Sequence, residues 1–451
     1  MIERVIKLNR MFCVWLQRKT AKGVFLISVS KGISEATGFV KLAVLAHLLA
    51  PQDFGVMGIA LFALGVLDVF TQTGFDMALI QRRDNIHPYL DTVFTVQAVR
   101  GFILASVIWF AAPHVAAFFG SPSASLVLQV LGIVMILRGL MNPAIVFLNK
   151  ELDFAKIFMW NLSEIVFSLL AAIILAIIYR NVWALVGASI AGQCARTIVS
   201  YTLVKYNPRF RLDLEKVVDL GRFGIWVLAS NVVVFLSLQG DNAFVGKVLG
   251  STALGFYQMA FRISELPIST FTYVISQVAF PVFSRLQLDK MRMKIRYLQV
   301  FQLLALTNGL IALLIFVFSS QLTLLLLGNK WIGIVPTLRV LVIANFLRSL
   351  FTLGGWLFYA LGKPELNFYM NALRLFVMVT LIYPLSQRFG LIGVSMAVLL
   401  ATCSICIIYV HGIYVNLGLS VREHLLPACQ FYARSEEQTA TAERGNKSCA
   451  L

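Results

Sequence analysis

Apolar residues along this chain come in long blocks, with no sustained strand-like alternation. Twelve such blocks recur: 24–49, 54–80, 90–117, 123–148, 155–179, 182–206, 222–245, 253–284, 296–320, 332–360, 366–387 and 391–417. A helix of about 20 residues crosses a hydrocarbon core ~30 Å thick, so each block is long enough to span a bilayer. Short polar turns separate the blocks, such as Pro51-Gln52-Asp53 and Gly120-Ser121-Pro122. A segment surrounded by lipid must satisfy its own backbone hydrogen bonds, so blocks of this length predict helices. The expected fold class is an all-α integral membrane protein of about twelve transmembrane helices.

Composition agrees with that pattern. The chain is 59% hydrophobic and 13% charged, where a soluble domain carries roughly 25% charged residues. No stretch between blocks is long enough to fold as a separate soluble domain. The net charge of +17 would suggest nucleic acid for a soluble protein. Here the charges sit in short loops beside apolar spans, so no nucleic-acid partner is expected and membrane topology explains them. With the N-terminus in the cytoplasm, cytoplasmic segments hold 25 of the 38 basic residues. The opposite side holds four, Arg180, Lys247, Lys330 and Arg388, and nine fall inside spans. That asymmetry predicts cytoplasmic N- and C-termini and an even number of spans. Residues 1–23 are basic and amphipathic, with no cleavage site following a short apolar run, so the first span is expected to act as its own insertion signal.

The longest polar stretch between spans, Asn207 to Gly221, divides the chain into two six-helix halves. The expected organisation is a basic N-terminal segment (1–23), an N-terminal bundle (24–206), a cytoplasmic linker (207–221), a C-terminal bundle (222–417) and a polar cytoplasmic tail (418–451). The halves carry traces of a repeat. Residues 126–140 set against 336–350 give seven identities in fifteen, among them Arg138 and Arg348. Residues 48–60 set against 248–260 share Leu49/Leu249, Gly55/Gly255 and Ala60/Ala260. Six spans separate each pair, so the repeat is parallel. It predicts two pseudo-symmetric bundles around a central cavity, a common plan for transporters.

Charges inside the spans supply the candidate chemistry. The basic ones are Lys31, Lys41, Arg100, Arg138, Arg196, Arg262, Arg339, Arg348 and Arg374; the acidic ones are Glu35, Asp68, Asp76, Glu164 and Glu265. Each costs roughly 2.5–3.5 kcal/mol at the bilayer centre, so they should face protein or water. Lys31 with Glu35, and Arg262 with Glu265, are spaced to pair along one helix. Nine basic against five acidic groups leaves an excess of +4, which would attract an anion. Arg138 and Arg348 lead the candidate substrate-binding set, with Arg100, Arg262, Arg374 and Lys31. A guanidinium donates two hydrogen bonds at once to phosphate. The alternative is an ion pair with Glu164 or another span carboxylate. Asp68, Gln72 and Asp76 form a polar stripe at i, i+4 and i+8. With Glu35, these residues either line the cavity or couple transport to H⁺ or Na⁺; a hydrogen-bonded helix interface is the bland reading.

Other chemistries find little support. Cys403 and Cys406 have metal-like spacing but lie in an apolar run, and the five histidines are scattered. No metal, cofactor or disulfide framework is expected. There is no GxxxxGK[ST] motif, so no intrinsic ATPase is indicated.

The segment GISEATGFVKLAVLAHLLAPQDFGVMGIALFALGVLDVFTQTGFDMALIQRRD (32–84) resembles the first two helices of bacterial polysaccharide transporter proteins. These are lipid-linked oligosaccharide flippases of the multidrug/oligosaccharidyl-lipid/polysaccharide superfamily, here similar to the colanic-acid and exopolysaccharide export type. NPRFRLDLEKVVDLGRFG (207–224) and VGKVLGSTALGFYQMAFRISELP (245–267) extend the resemblance. It implies alternating access and no enzymatic activity. The cargo would be an undecaprenyl-pyrophosphate-linked oligosaccharide, moved across the bacterial inner membrane for polysaccharide biosynthesis. Membrane lipids and other polysaccharide assembly proteins would be its partners. Relatives of this type carry two further helices, whereas a polar tail follows LLPACQ here, so that last pair is expected to be missing. Two other readings remain open: a cation-coupled drug exporter of the same superfamily, and a membrane-embedded polysaccharide polymerase or ligase.

Overall fold

The computed structural model describes residues 31–71, 74–81, 86–151, 153–287 and 289–419. Residues 1–23, the tail from 420, Gln72 and the side chain of Asp76 lie outside the described residues. Everything regular among the described residues is helix. Helix α1 covers 31–48. It is followed by α2 (Pro51–Phe70), α3 (Phe75–Gln81), α4 (His87–Phe118), α5 (Ser123–Gly139), a 3₁₀ turn (Pro143–Ile145), α6 (Val146–Lys150), α7 (Phe154–Tyr179) and α8 (Trp183–Leu203). Then come α9 (Leu214–Val248), α10 (Ser251–Arg285), α11 (Lys290–Val317), α12 (Ser319–Leu326), a 3₁₀ turn (Asn329–Ile334), α13 (Val335–Ala360) and α14 (Pro364–Leu417).

Among the described residues, six helical segments are long and apolar enough to cross a membrane, and the bent pair of α5 with the turn and α6 makes a seventh. Large apolar side chains on their outer faces are exposed: on α4, Phe102, Ile103, Trp109 and Phe110, the last 75% exposed. Such a surface is stable only against lipid or another protein.

Two expected spans differ in detail, and the break between the last two is where the sequence put it. The span 54–80 breaks after Thr71, so α2 and α3 are separate pieces. The span 123–148 bends by 65° where Asn142 is extended (φ −63°, ψ 114°) ahead of Pro143. The long run α14 is interrupted at Gly390 (φ 57°, ψ −131°), between the expected spans 366–387 and 391–417. Only glycine adopts that conformation without strain.

Asn142 stabilises its own break. Its side chain accepts from Ala144 N at 3.0 Å and donates toward the carbonyls of Val204 (2.9 Å), Tyr206 (3.3 Å) and Ser200 (3.4 Å). The residue is fully buried. Asn142→Ala leaves these groups without their partner, at about 1–3 kcal/mol for a buried unsatisfied group. The expected result is a lower thermal midpoint for the detergent-purified protein; an unchanged midpoint would show that water replaces the amide.

The polar stretch after α8 is shorter than 207–221, because α9 already begins at Leu214. Asp213 caps it, accepting from the backbone of Glu215 at 3.2 Å. The connection lies on the start of α4. Asp91 accepts from the Tyr206 hydroxyl at 2.7 Å and the Arg209 backbone at 2.9 Å, and Thr95 accepts from the Arg211 backbone at 2.9 Å. Burial and the bond to Asp91 hold the Tyr206 hydroxyl above its ordinary pKa.

Packing separates two compact units: Met1–Ala260 with Ser320–Val335, and Phe261–Ser319 with Pro336–Leu451. In the first, α4 and α5 approach through glycine. A Cβ at Gly101 would lie 2.6 Å from Met135 O, and one at Gly139 2.5 Å from Gln97 O. Small residues let membrane helices pack by backbone contact, which replaces the hydrophobic drive that lipid removes. In the second, Phe283, Met293, Tyr297, Leu353, Phe358 and Ile413 form a closed apolar core.

Candidate functional site

In the first unit, three elements converge on one carboxylate. Asp68 is in the last turn of α2, and Oδ1 accepts from Arg100 Nη2 at 2.5 Å. Its other oxygen accepts from Arg138 Nη1 at 3.0 Å. Arg100 is held further by Asp68 O (2.8 Å) and Thr71 Oγ1 (3.1 Å). Arg138 lies in the last turn of α5, where the helix dipole favours a cation. Two guanidiniums share one carboxylate, so the cluster carries net charge +1. Exposure divides the roles: the Arg138 side chain is 50% exposed and that of Arg100 23%. Beside Arg100 opens a cleft of about 360 Å³, walled by Thr71, Thr95, Val96, Val99, Ile103, Leu104 and Leu212. A cation at the edge of an aliphatic cleft suits a ligand that joins an anion to an apolar chain.

The second unit treats its arginine differently. Arg348 on α13 donates from Nη2 to Glu265 Oε1 on α10 at 2.5 Å, and both side chains are less than a third exposed, 22% and 25%. The pair continues a buried polar seam. Asn345 donates to Ser264 at 2.8 Å, and Asn308 donates to Thr272 at 2.9 Å and Ser349 at 3.0 Å. Glu265 therefore pairs across helices with Arg348, where its spacing had suggested Arg262. Arg138 and Arg348, matched in sequence, both meet a carboxylate, but only Arg138 belongs to a cluster with surplus charge and wide exposure.

The remaining candidates are placed as follows. Lys31 pairs with Glu35 at 2.5 Å on α1. Glu164 is held by Arg196 at 2.5 Å, whose guanidinium also lies 4.1 Å from the Trp160 ring centroid; it is not the partner of Arg138. Lys41 donates to Ser168 at 2.8 Å. Arg262 is exposed on α10 and Arg374 is 5% exposed within α14. Of the stripe Asp68, Gln72 and Asp76, only the Asp68 side chain is described, and it serves the arginine cluster.

The charge count also needs one correction. Asp241 lies deep inside the seventh expected span and belongs with the intramembrane acids, which lowers the excess of +4. It is 3% exposed and accepts from the Tyr257 hydroxyl at 2.7 Å. A plain reading of residues 222–245 finds it. No run of residues signals the Thr71 and Thr95 contacts, which depend on helix ends meeting in space.

Residues 44–336, more than half of the chain, match the polysaccharide biosynthesis protein family. The chain belongs to that family. It is 25% identical over 420 residues to the lipopolysaccharide biosynthesis protein WzxC of Escherichia coli (strain K12), covering 91% of this chain and 84% of that one. It is 24% identical over 310 residues to the succinoglycan biosynthesis transport protein ExoT of Rhizobium meliloti (strain 1021), covering 68% and 62%. Among solved structures, the fold is shared with the lipid II flippase MurJ in an inward closed conformation: TM-score 0.74, 13% identity, 89% of each chain. A multidrug resistance MATE family transporter of the MOP superfamily, inward-facing, follows the same fold: TM-score 0.68, 14% identity, 87% of this chain and 98% of that one. The protein is thus a multi-pass membrane protein of the polysaccharide biosynthesis family on a transporter fold.

Proposed function

We propose that this chain is a flippase for an undecaprenyl-pyrophosphate-linked oligosaccharide. It moves that lipid across the bacterial inner membrane by alternating access, for polysaccharide export, and carries out no bond chemistry. The Asp68–Arg100–Arg138 cluster beside its aliphatic cleft carries the proposal. A pyrophosphate lipid needs cation, fork-like donors and an apolar wall together, and these residues supply all three. At 4 Å and an effective dielectric of 20, a unit charge pair is worth about 4 kcal/mol, enough to hold the headgroup without immobilising it. Both termini are taken as cytoplasmic, on the 25-to-4 asymmetry of basic residues.

The MATE likeness raises drug export as a second reading. A site for cationic drugs wants surplus carboxylate, and here the surplus is guanidinium. Deleting the gene is expected to accumulate the lipid-linked oligosaccharide on the cytoplasmic side and stop export, with no change in drug resistance. Export of single repeat units by the deletion strain would instead indicate a polymerase. A fall in drug resistance with normal export would indicate the exporter.

A further inference from the structure

Within the first unit, α2 and α10 cross in a reciprocal contact. A Cβ on Gly55 would lie 1.7 Å from Ser251 O, and a Cβ on Gly255 would lie 2.0 Å from Pro51 O. Pro51 and Ser251 are the first residues of their helices. Each helix thus sets its fifth residue on the first carbonyl of the other, in the register of the Leu49/Leu249 and Ala60/Ala260 matches. One turn further on, a Cβ at Gly58 would meet the Gln258 side chain at 2.4 Å. Contact at this distance is possible only where side chains are absent on both helices.

The 3₁₀ turn Asn329–Ile334 seals this crossing. Trp331 is fully buried, its ring edge-on to Phe54 and Phe256 with centroids 5.3 and 5.8 Å away. Its indole N–H donates to Ala46 O at 2.9 Å. The neighbouring Lys330 ammonium donates to His47 O at 2.9 Å and Leu49 O at 2.5 Å. Those carbonyls end α1, where a helix leaves acceptors unsatisfied and favours a cation. Lys247 does the same for α4, donating to Phe118 O at 2.5 Å. Lys247 and Lys330 are two of the only four basic residues assigned to the non-cytoplasmic side.

We infer that this assembly is the closed outer gate: the Gly55–Gly255 crossing is its seam, and Trp331 with Lys330 is its latch. Release of cargo to the outer face requires α2 and α10 to part at the glycines and Trp331 to leave its place between Phe54 and Phe256. The seam is held by dispersion and backbone contact, which fall off steeply once a gap of 0.5–1 Å opens. It therefore has two states, sealed and parted. The inference rests on the alternating-access reading.

The test uses Gly58→Cys with Gln258→Cys in the full chain, expressed in cells that lack the wild-type copy. Copper phenanthroline is expected to cross-link the pair and lower export at least tenfold. Dithiothreitol should restore it, and neither single variant should respond. A pair that fails to cross-link, or that exports normally when cross-linked, overturns the gate. A second measurement needs no cargo. Labelling of the Gln258→Cys single variant by a membrane-impermeant maleimide from outside should rise at least fivefold when Trp331→Ala is added. Unchanged labelling overturns the latch. A chain whose deletion leaves export untouched would sink the flippase reading instead, while leaving the labelling result to stand or fall alone.

Discussion

Arg138→Ala is expected to lower export of the lipid-linked glycan roughly 10- to 100-fold while the protein reaches the membrane in normal amount. The fold should persist because Asp68 keeps its shorter bond to Arg100, which also binds Asp68 O and Thr71. What disappears is the half-exposed guanidinium and with it the surplus charge. A hydrogen bond to a charged group is worth about 1.5–3 kcal/mol, and each 1.4 kcal/mol is a factor of ten. Arg138→Lys keeps the charge but loses the fork, so it should recover only part of the rate. Export assays normalised to membrane abundance check both variants. Full export in Arg138→Ala would remove this residue from substrate binding.

Arg348→Ala is expected to fail differently, through loss of the protein itself. Its removal leaves Glu265 charged and three-quarters buried in a seam of hydrogen-bonded side chains. Breaking such a pair on one side costs about 3–5 kcal/mol when fully buried, and the residual exposure places this pair toward the lower figure. Membrane abundance and thermal midpoint should both drop. The double variant Arg348→Met/Glu265→Gln removes both charges and should recover both. If Arg348→Ala stays abundant but exports nothing, Arg348 contacts cargo and the two units use their arginines alike.

These contrasting outcomes show how far residue order reaches. Most of the helical blocks and the break at Gly390 were readable directly, because a bilayer demands about 20 apolar residues wherever helix crosses lipid. The resemblance at residues 32–84 carried the family, which the match over 44–336 establishes. The repeat alignment also singled out Gly55, Gly255, Arg138 and Arg348. It could not say that the glycines meet each other's helix starts, or that the arginines differ in exposure.

Partners across helices were the part decided by tertiary structure alone. Spacing along one helix suggested Arg262 for Glu265, yet α13 delivers Arg348 to it. Asp68 read as one member of a helical stripe, whereas it gathers Arg100 from α4 and Arg138 from α5. Insertion into lipid depends on hydropathy summed along each segment, so the sequence determined which segments are helices and that they belong in a membrane. Charge pairing depends on distances of a few ångströms between residues 32 to 83 positions apart, and only the packed helices set those.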